Sequence, residues 1–202
     1  MLKYALKTAF VMVLFAMVFT AIMAFIHQVT AADIEKSEAQ MRLGLFSQIL
    51  PDHLYDNALL TDVIEVAPDP LLGNSAPVQI YRARLHGQPS ALILEAIAHD
   101  GYSGDIKLLI AVKTDGSVSG VRVLAHKETP GLGDYIEIAR SKWITQFDTQ
   151  SATTGHETAW AVKKDGGTFD YMVGATITPR AVVKAVHLAL QYVNTHHDQL
   201  FQ

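Results

Sequence analysis

Residues 8–26, "TAFVMVLFAMVFTAIMAFI", constrain this chain more than any other stretch. Thr8 and Thr20 are its only polar members. A helix needs about 20 mostly apolar residues to cross a hydrocarbon core, and this run has about that length. The apolar region of a secretory signal is shorter, about 7–15 residues. Length therefore favours a retained anchor, although "VTAAD" (Val29 to Asp33) has the small residues of a cleavage site. A buried helix of a soluble core fits less well, because no polar face runs along the segment. Lys3 and Lys7 precede the span, whereas Asp33 and Glu35 follow it. Positive residues stay on the cytoplasmic side. The expectation is a single-pass anchor over residues 1–32 with a cytoplasmic N-terminus. Residues 33–202 then form one domain outside the cytoplasm. Ala16, Thr20 and Ala24, spaced four apart, offer a face for close contact with another helix.

Composition narrows the chemistry of that domain. The chain has 202 residues and no cysteine. Disulfides, thiolate-bound zinc, cysteine-ligated iron–sulfur clusters and thioether-linked haem are therefore excluded. The formal net charge is −4, and no basic stripe stands out, which argues against nucleic acid as a partner. With two lysines and no acid in residues 1–32, the exported part carries −6. Nine histidines raise the question of metal, but none has the HExxH spacing, so no metal site is expected. No Gly-x-Ser-x-Gly elbow is present, and Ser103 in "GYSGD" reads as a turn residue.

The exported part mixes two periodicities. Asp33 is a candidate cap for a helix over "DIEKSEAQMRLGLFSQIL", which Pro51 would end. "PVQIYRAR", "SALILEAI", "DIKLLIAV" and "SVSGVRVLAH" read as strands, with Asp115-Gly116 as a hairpin turn between the last two. "DYIEIARSKWITQF" (134–147) places Ile136, Ala139, Trp143, Ile144 and Phe147 on one side of a helix. "TAWAVKK" (158–164) reads as strand, Gly166-Gly167 as a turn, and Pro179 to Val193 as the last helix. This order predicts an α+β fold with an antiparallel sheet.

The start of the last helix holds the candidate chemistry. Pro179 suits the first helical position, which makes Thr178 the N-cap, its hydroxyl accepting from first-turn N–H groups. Thr176 is then left free at the positive end of the helix dipole. Gly174 and Ala175 permit close approach to the backbone, and Arg180 could add a charge-assisted bond. Together these could hold a phosphate. A tight turn into a well-capped helix explains the same residues, and such turns are common. Lys163 and Lys164 could meet an anion as well, but a solvated hairpin end accounts for them.

The segment "DYMVGAT" (170–176) is similar to the flavinylation motif Asp-x-x-Ser/Thr-Gly-Ala-Thr. Asp170, Gly174, Ala175 and Thr176 match it, while Val173 stands where that motif usually has Ser or Thr. "GYSGDIKLLIAV", "HKETPGLGD" and "WAVKKDGGTFDYMVGATITPRAVVKAV" extend the likeness over nearly the whole chain. The chain resembles the RnfG/RsxG family, the G subunits of Rnf/Rsx ion-translocating electron transport complexes. A related FMN-binding domain occurs in the sodium-translocating NADH:quinone reductase, in its C subunit.

The resemblance implies FMN joined through its phosphate to Thr176, loaded from FAD by a separate magnesium-dependent flavin transferase. It implies an electron-carrying subunit with no turnover of its own, in a complex of the bacterial inner membrane. Its flavin domain would lie in the periplasm, with the other subunits and membrane lipid as partners. The complex would couple ferredoxin/NAD electron transfer to ion movement or, in the Rsx form, keep a redox sensor reduced. "HKETPGLGD" would line the flavin pocket through Thr129, Gly131, Leu132 and Gly133, although a plain Pro-Gly loop would look the same. "GLG" alone is no dinucleotide fingerprint. The competing reading is a membrane-anchored binding or assembly module without cofactor.

Overall fold

The computed structural model describes residues 2–152 and 159–202. They divide into two units, residues 1–42 and residues 43–202. The first consists of helix α1, Leu2–Phe46, whose last residues belong to the second unit. This helix is long and apolar enough to cross a membrane. It runs unbroken through residue 33, so no new helix begins at Asp33 as its capping chemistry suggests. The physical reason is the run from Val29 to Leu43, which contains neither Gly nor Pro and is rich in good helix formers. The helix also ends earlier than Pro51, at Phe46, and turns follow over residues 47–50.

The second unit is built on a five-stranded antiparallel meander in the order β1-β2-β3-β4-β5. The strands are Val63–Val66, Val78–Leu85, Gln88–Ala98, Ile106–Lys113 and Val118–Ala125. Four of them occupy the segments whose composition announces strands. The edge strand β1 does not announce itself, because four residues are too few to display alternation. Tight turns set the registers. His86-Gly87 closes β2–β3 with both residues at positive φ, and Gly116 (φ 78°) closes β4–β5 at the expected Asp-Gly turn.

Both faces of the sheet are buried. Leu92, Leu94, Leu108, Ile110 and Val112 pack toward helix α2, Ile177–Thr195, whose Val182, Val183, Val186, Leu190 and Val193 form the apolar stripe seen in the sequence. Tyr81, Ala91, Ile93, Leu109 and Ala111 point the other way, onto Phe46, Ile49, Leu50 and Leu59. Two-sided burial explains why β3 and β4 read as near-continuous apolar runs. The helices and antiparallel sheet make an α+β arrangement.

Two further elements differ from expectation. Residues 134–147 do not form one helix. They form two 3-10 pieces, Gly133–Ile136 and Trp143–Phe147. Ser141 breaks the run: its hydroxyl donates to the Tyr135 carbonyl (2.6 Å) and accepts the Trp143 N–H (3.1 Å). Such local side-chain bonds compete with helical ones. Four of the five expected apolar residues still face the core, since Ile136, Trp143, Ile144 and Phe147 are buried, whereas Ala139, in the irregular stretch between the two pieces, is exposed. Of the expected strand 158–164, Thr158 lies outside the described residues. The rest is a tight loop with one bridge, Val162 to Phe169, and a 3-10 turn at Lys163–Asp165. Gly167 lets the chain double back; a Cβ there would lie 2.0 Å from the Ala161 carbonyl oxygen.

Candidate functional site

Segment 170–176 is held from beneath by aromatic residues. Trp143 Nε1–H donates to the Asp170 carbonyl (2.7 Å), and the Met172 N–H donates to the Tyr135 hydroxyl (3.3 Å). Burial pushes the Tyr135 phenol up to about 12, so it stays protonated. Tyr135, Trp143 and Phe147 stack edge to face in succession. Above this platform the chain turns sharply, with the Ala175 N–H on the Met172 carbonyl (3.1 Å). Gly174 makes the turn at φ 93°. A Cβ there would meet nothing within 4 Å, so the need for glycine is conformational.

Helix α2 begins at Ile177, two residues before the position Pro179 marks. Thr178 is therefore not the N-cap. It sits inside the first turn, is buried, and its hydroxyl donates to Glu128 Oε2. Thr176 takes the cap position, with φ −85° and ψ −26°, but its side chain makes no capping bond. The proline ring is tolerated at the third helical position because first-turn N–H groups have no intrahelical partner.

Thr176 lines a cleft of about 320 Å³, together with Tyr102, Glu128, Thr129, Leu132, Gly133, Gly174, Ala175, Ile177 and Thr178. The two sequence segments singled out, 126–134 and 170–178, thus meet across one cavity. Gly133 permits the approach: a Cβ there would come within 2.8 Å of Glu128 Cβ and 3.0 Å of Thr178 Oγ1. Tyr102, Glu128 and Ile177 also line the cleft, though sequence reasoning passed over them. Glu128 lies inside the segment "HKETPGLGD", but that segment also carries Asp134 and Lys127, so no local signal singles it out.

Three expected residues stand elsewhere. Gly131 (φ 77°) gives its N–H to Asp134 Oδ1 (2.8 Å) and shapes the loop without lining the cavity. Arg180 turns away to Asp165, with two bonds of 2.6 Å from Nε and Nη2. The Asp170 carboxylate is paired with Lys163 at 2.5 Å, outside the cleft, while its N–H reaches Gln146 Oε1 (2.8 Å).

The cleft suits a phosphorylated planar group. The N–H groups of Thr176, Ile177 and Thr178 have no acceptor among the described residues, and they stand at a helix start. Leu132, Val173, Ile177 and Tyr102 leave apolar surface exposed at or beside the rim, Val173 at 85%. A smaller groove of about 120 Å³ lies beside His99 and Lys184.

Comparison with known proteins agrees with this placement. A model described as FMN-binding domain matches residues 101–191, and one described as RnfG N-terminal region matches residues 1–49. Over 195 residues the chain is 49% identical to the G subunit of the ion-translocating oxidoreductase complex of Pseudomonas aeruginosa, covering 96% of this chain and 91% of that one. Its identity to the corresponding G subunit of Vibrio cholerae is 44% over 200 residues, with 99% and 95% covered. The Shewanella baltica G subunit is 43% identical over 196 residues, with 97% and 92% covered. A cleft that unites residues 102–133 with the α2 start, inside a likeness spanning nearly the full length, leads to one conclusion: this chain belongs to the RnfG family, the G subunits of ion-translocating oxidoreductase complexes.

Proposed function

We propose that the chain carries FMN covalently, as a phosphodiester on Thr176, and serves as an electron-carrying subunit of an ion-translocating membrane complex. The observation that carries this reading is the Thr176 hydroxyl: it lines the cleft and makes no hydrogen bond among the described residues. A threonine at a cap position normally spends its hydroxyl on the helix. Here it is left available for bond formation. The phosphodiester keeps one negative charge, which the unpartnered N–H groups and dipole of the α2 start stabilise. When bound, the flavin supplies the redox chemistry. The protein's residues tether, orient and shield. Thr129, Leu132, Gly133, Gly174 and Ala175 shape the walls, and Tyr102 and Ile177 add apolar contact. Asp170, paired with Lys163 outside the cavity, holds the loop that presents Thr176, and Arg180 is committed to Asp165 away from it.

Residues 1–32 anchor the chain with the N-terminus in the cytoplasm, and the domain from residue 33 onward lies in the periplasm. A cofactor lost there could not readily be replaced, which favours a covalent tether. The partners are the other subunits of the complex, the surrounding lipid, and a flavin transferase during maturation. The direct test uses protein made beside such a transferase. The wild type is expected to gain the mass of FMN less water at Thr176 and to fluoresce on a denaturing gel. Thr176→Val is expected to do neither. A bare Thr176 in fully matured wild type would leave the cofactor-free assembly module as the reading.

A further inference from the structure

Glu128 is the one charged side chain among the described residues lining the cleft, and it is only 4% exposed. Its Oε1 accepts the Ser103 N–H (2.9 Å) and its Oε2 accepts the Thr178 hydroxyl. Glycines close over the carboxylate on two sides. A Cβ at Gly101 would lie 3.1 Å from Oε1, and one at Gly133 would lie 2.9 Å from Oε2. Among the described residues no cation pairs with it.

Burying a charge without a counter-ion destabilises a fold. The two contacts do not require the charge. A glutamine would offer its carbonyl to Ser103 and its amide to the Thr178 oxygen. What glutamine lacks is the negative charge in the cleft wall. In a low-dielectric wall such a charge acts more strongly than in water. It opposes the arrival of an electron on any group sharing the cavity, and local charge is one of the means by which a protein tunes a cofactor.

We infer that Glu128 is the residue that sets the flavin's midpoint potential low, through a fixed carboxylate held in the cleft wall by Ser103 and Thr178. The inference rests on the covalent-FMN reading. The test uses the full chain, matured beside a flavin transferase and purified in detergent. Intact mass comes first, because wild type without added FMN overturns the covalent reading and this inference with it. With flavin present, Glu128→Gln is expected to load to the wild-type extent and to show a more positive midpoint potential in a redox titration followed by absorbance. A loaded Glu128→Gln chain with the wild-type potential overturns the inference and leaves the covalent reading standing. So does a Glu128→Gln chain that melts like wild type but does not load, since the charge would then serve attachment instead. If Glu128→Gln does not fold, Glu128→Met decides. It removes the charge while keeping a side chain of similar length in the wall and is expected to raise the potential; an unmoved potential overturns the inference.

Discussion

Thr176 and Thr178 are two residues apart and have opposite fates. Thr178 is buried with its hydroxyl on a buried carboxylate, and Thr176 faces the cleft with its hydroxyl free. Removing the Thr178 hydroxyl leaves Glu128 Oε2 without its donor, a loss of about 2–3 kcal/mol for a hydrogen bond to a charged group. Thr178→Val is therefore expected to lower the melting temperature markedly. Thr176→Val is expected to stay within about 0.5 kcal/mol of wild type, as surface substitutions do. Thermal denaturation of the two variants side by side checks the contrast, and equal melting points would contradict it. Arg180 supplies a second residue-scale expectation. Its guanidinium is committed to Asp165 outside the cleft. Arg180→Ala should load FMN as wild type does, measured by intact mass.

At the scale of elements, the hairpin between β3 and β4 carries Tyr102 into the cleft and is pinned by His99. Nδ1 of His99 faces Asp105 Oδ1 at 2.9 Å, and Nε2 faces the Gly73 carbonyl at 2.7 Å. Only the protonated ring donates from both nitrogens. The hydrogen bond with Asp105, then that with Gly73, raises its pKa above the ordinary 6.5, against a smaller opposite effect of burial. A raised folded pKa means the stabilisation is complete below about 6.5 and is lost as pH climbs through the folded value. The melting-temperature gap between wild type and His99→Ala should therefore shrink as pH rises above 6.5. A gap unchanged from pH 6 to 9 would count against the latch. On β5, Gly120 lies against the turn that follows α1. A Cβ there would fall 2.8 Å from Ile49 Cα and 2.9 Å from its carbonyl oxygen, both backbone atoms. Gly120→Ala is expected to cost about 1–3 kcal/mol through overpacking, read from chemical denaturation.

At the scale of the whole molecule, the two units have different surfaces. Residues 10–26 expose almost every large apolar side chain they carry, as a helix surrounded by lipid or by other helices would. Among the described residues of 43–202, the exposed large apolar groups besides Leu43 and Ile138 are Tyr102, Leu132, Met172, Val173 and Ile177, at or next to the cleft. The lysines before the span and the acids after it are the basis for the proposed orientation, with the domain outside the cytoplasm. Protease added to spheroplasts is expected to digest residues 43–202, while the same protease added to inverted membrane vesicles should leave them intact. The reverse pattern would overturn the orientation.

Sequence alone determined what depends on composition and local period. The apolar span, four of the five strands, the Asp-Gly turn and the stripe of α2 each follow from residues close together in the chain, and each is present. Gly174, Ala175 and Thr176, singled out by their place before that helix and by the resemblance, line the cleft. Tertiary structure decided what depends on distant partners. Thr178 looks like a cap until Glu128, fifty positions earlier, takes its hydroxyl. Arg180 looks like an anion ligand until Asp165 claims it. Residues 134–147 keep a helical apolar pattern, yet Ser141 bonds to the backbone and splits them. A polar side chain satisfies its hydrogen bonds with whatever the fold brings near, and its neighbours in the chain do not say what that will be.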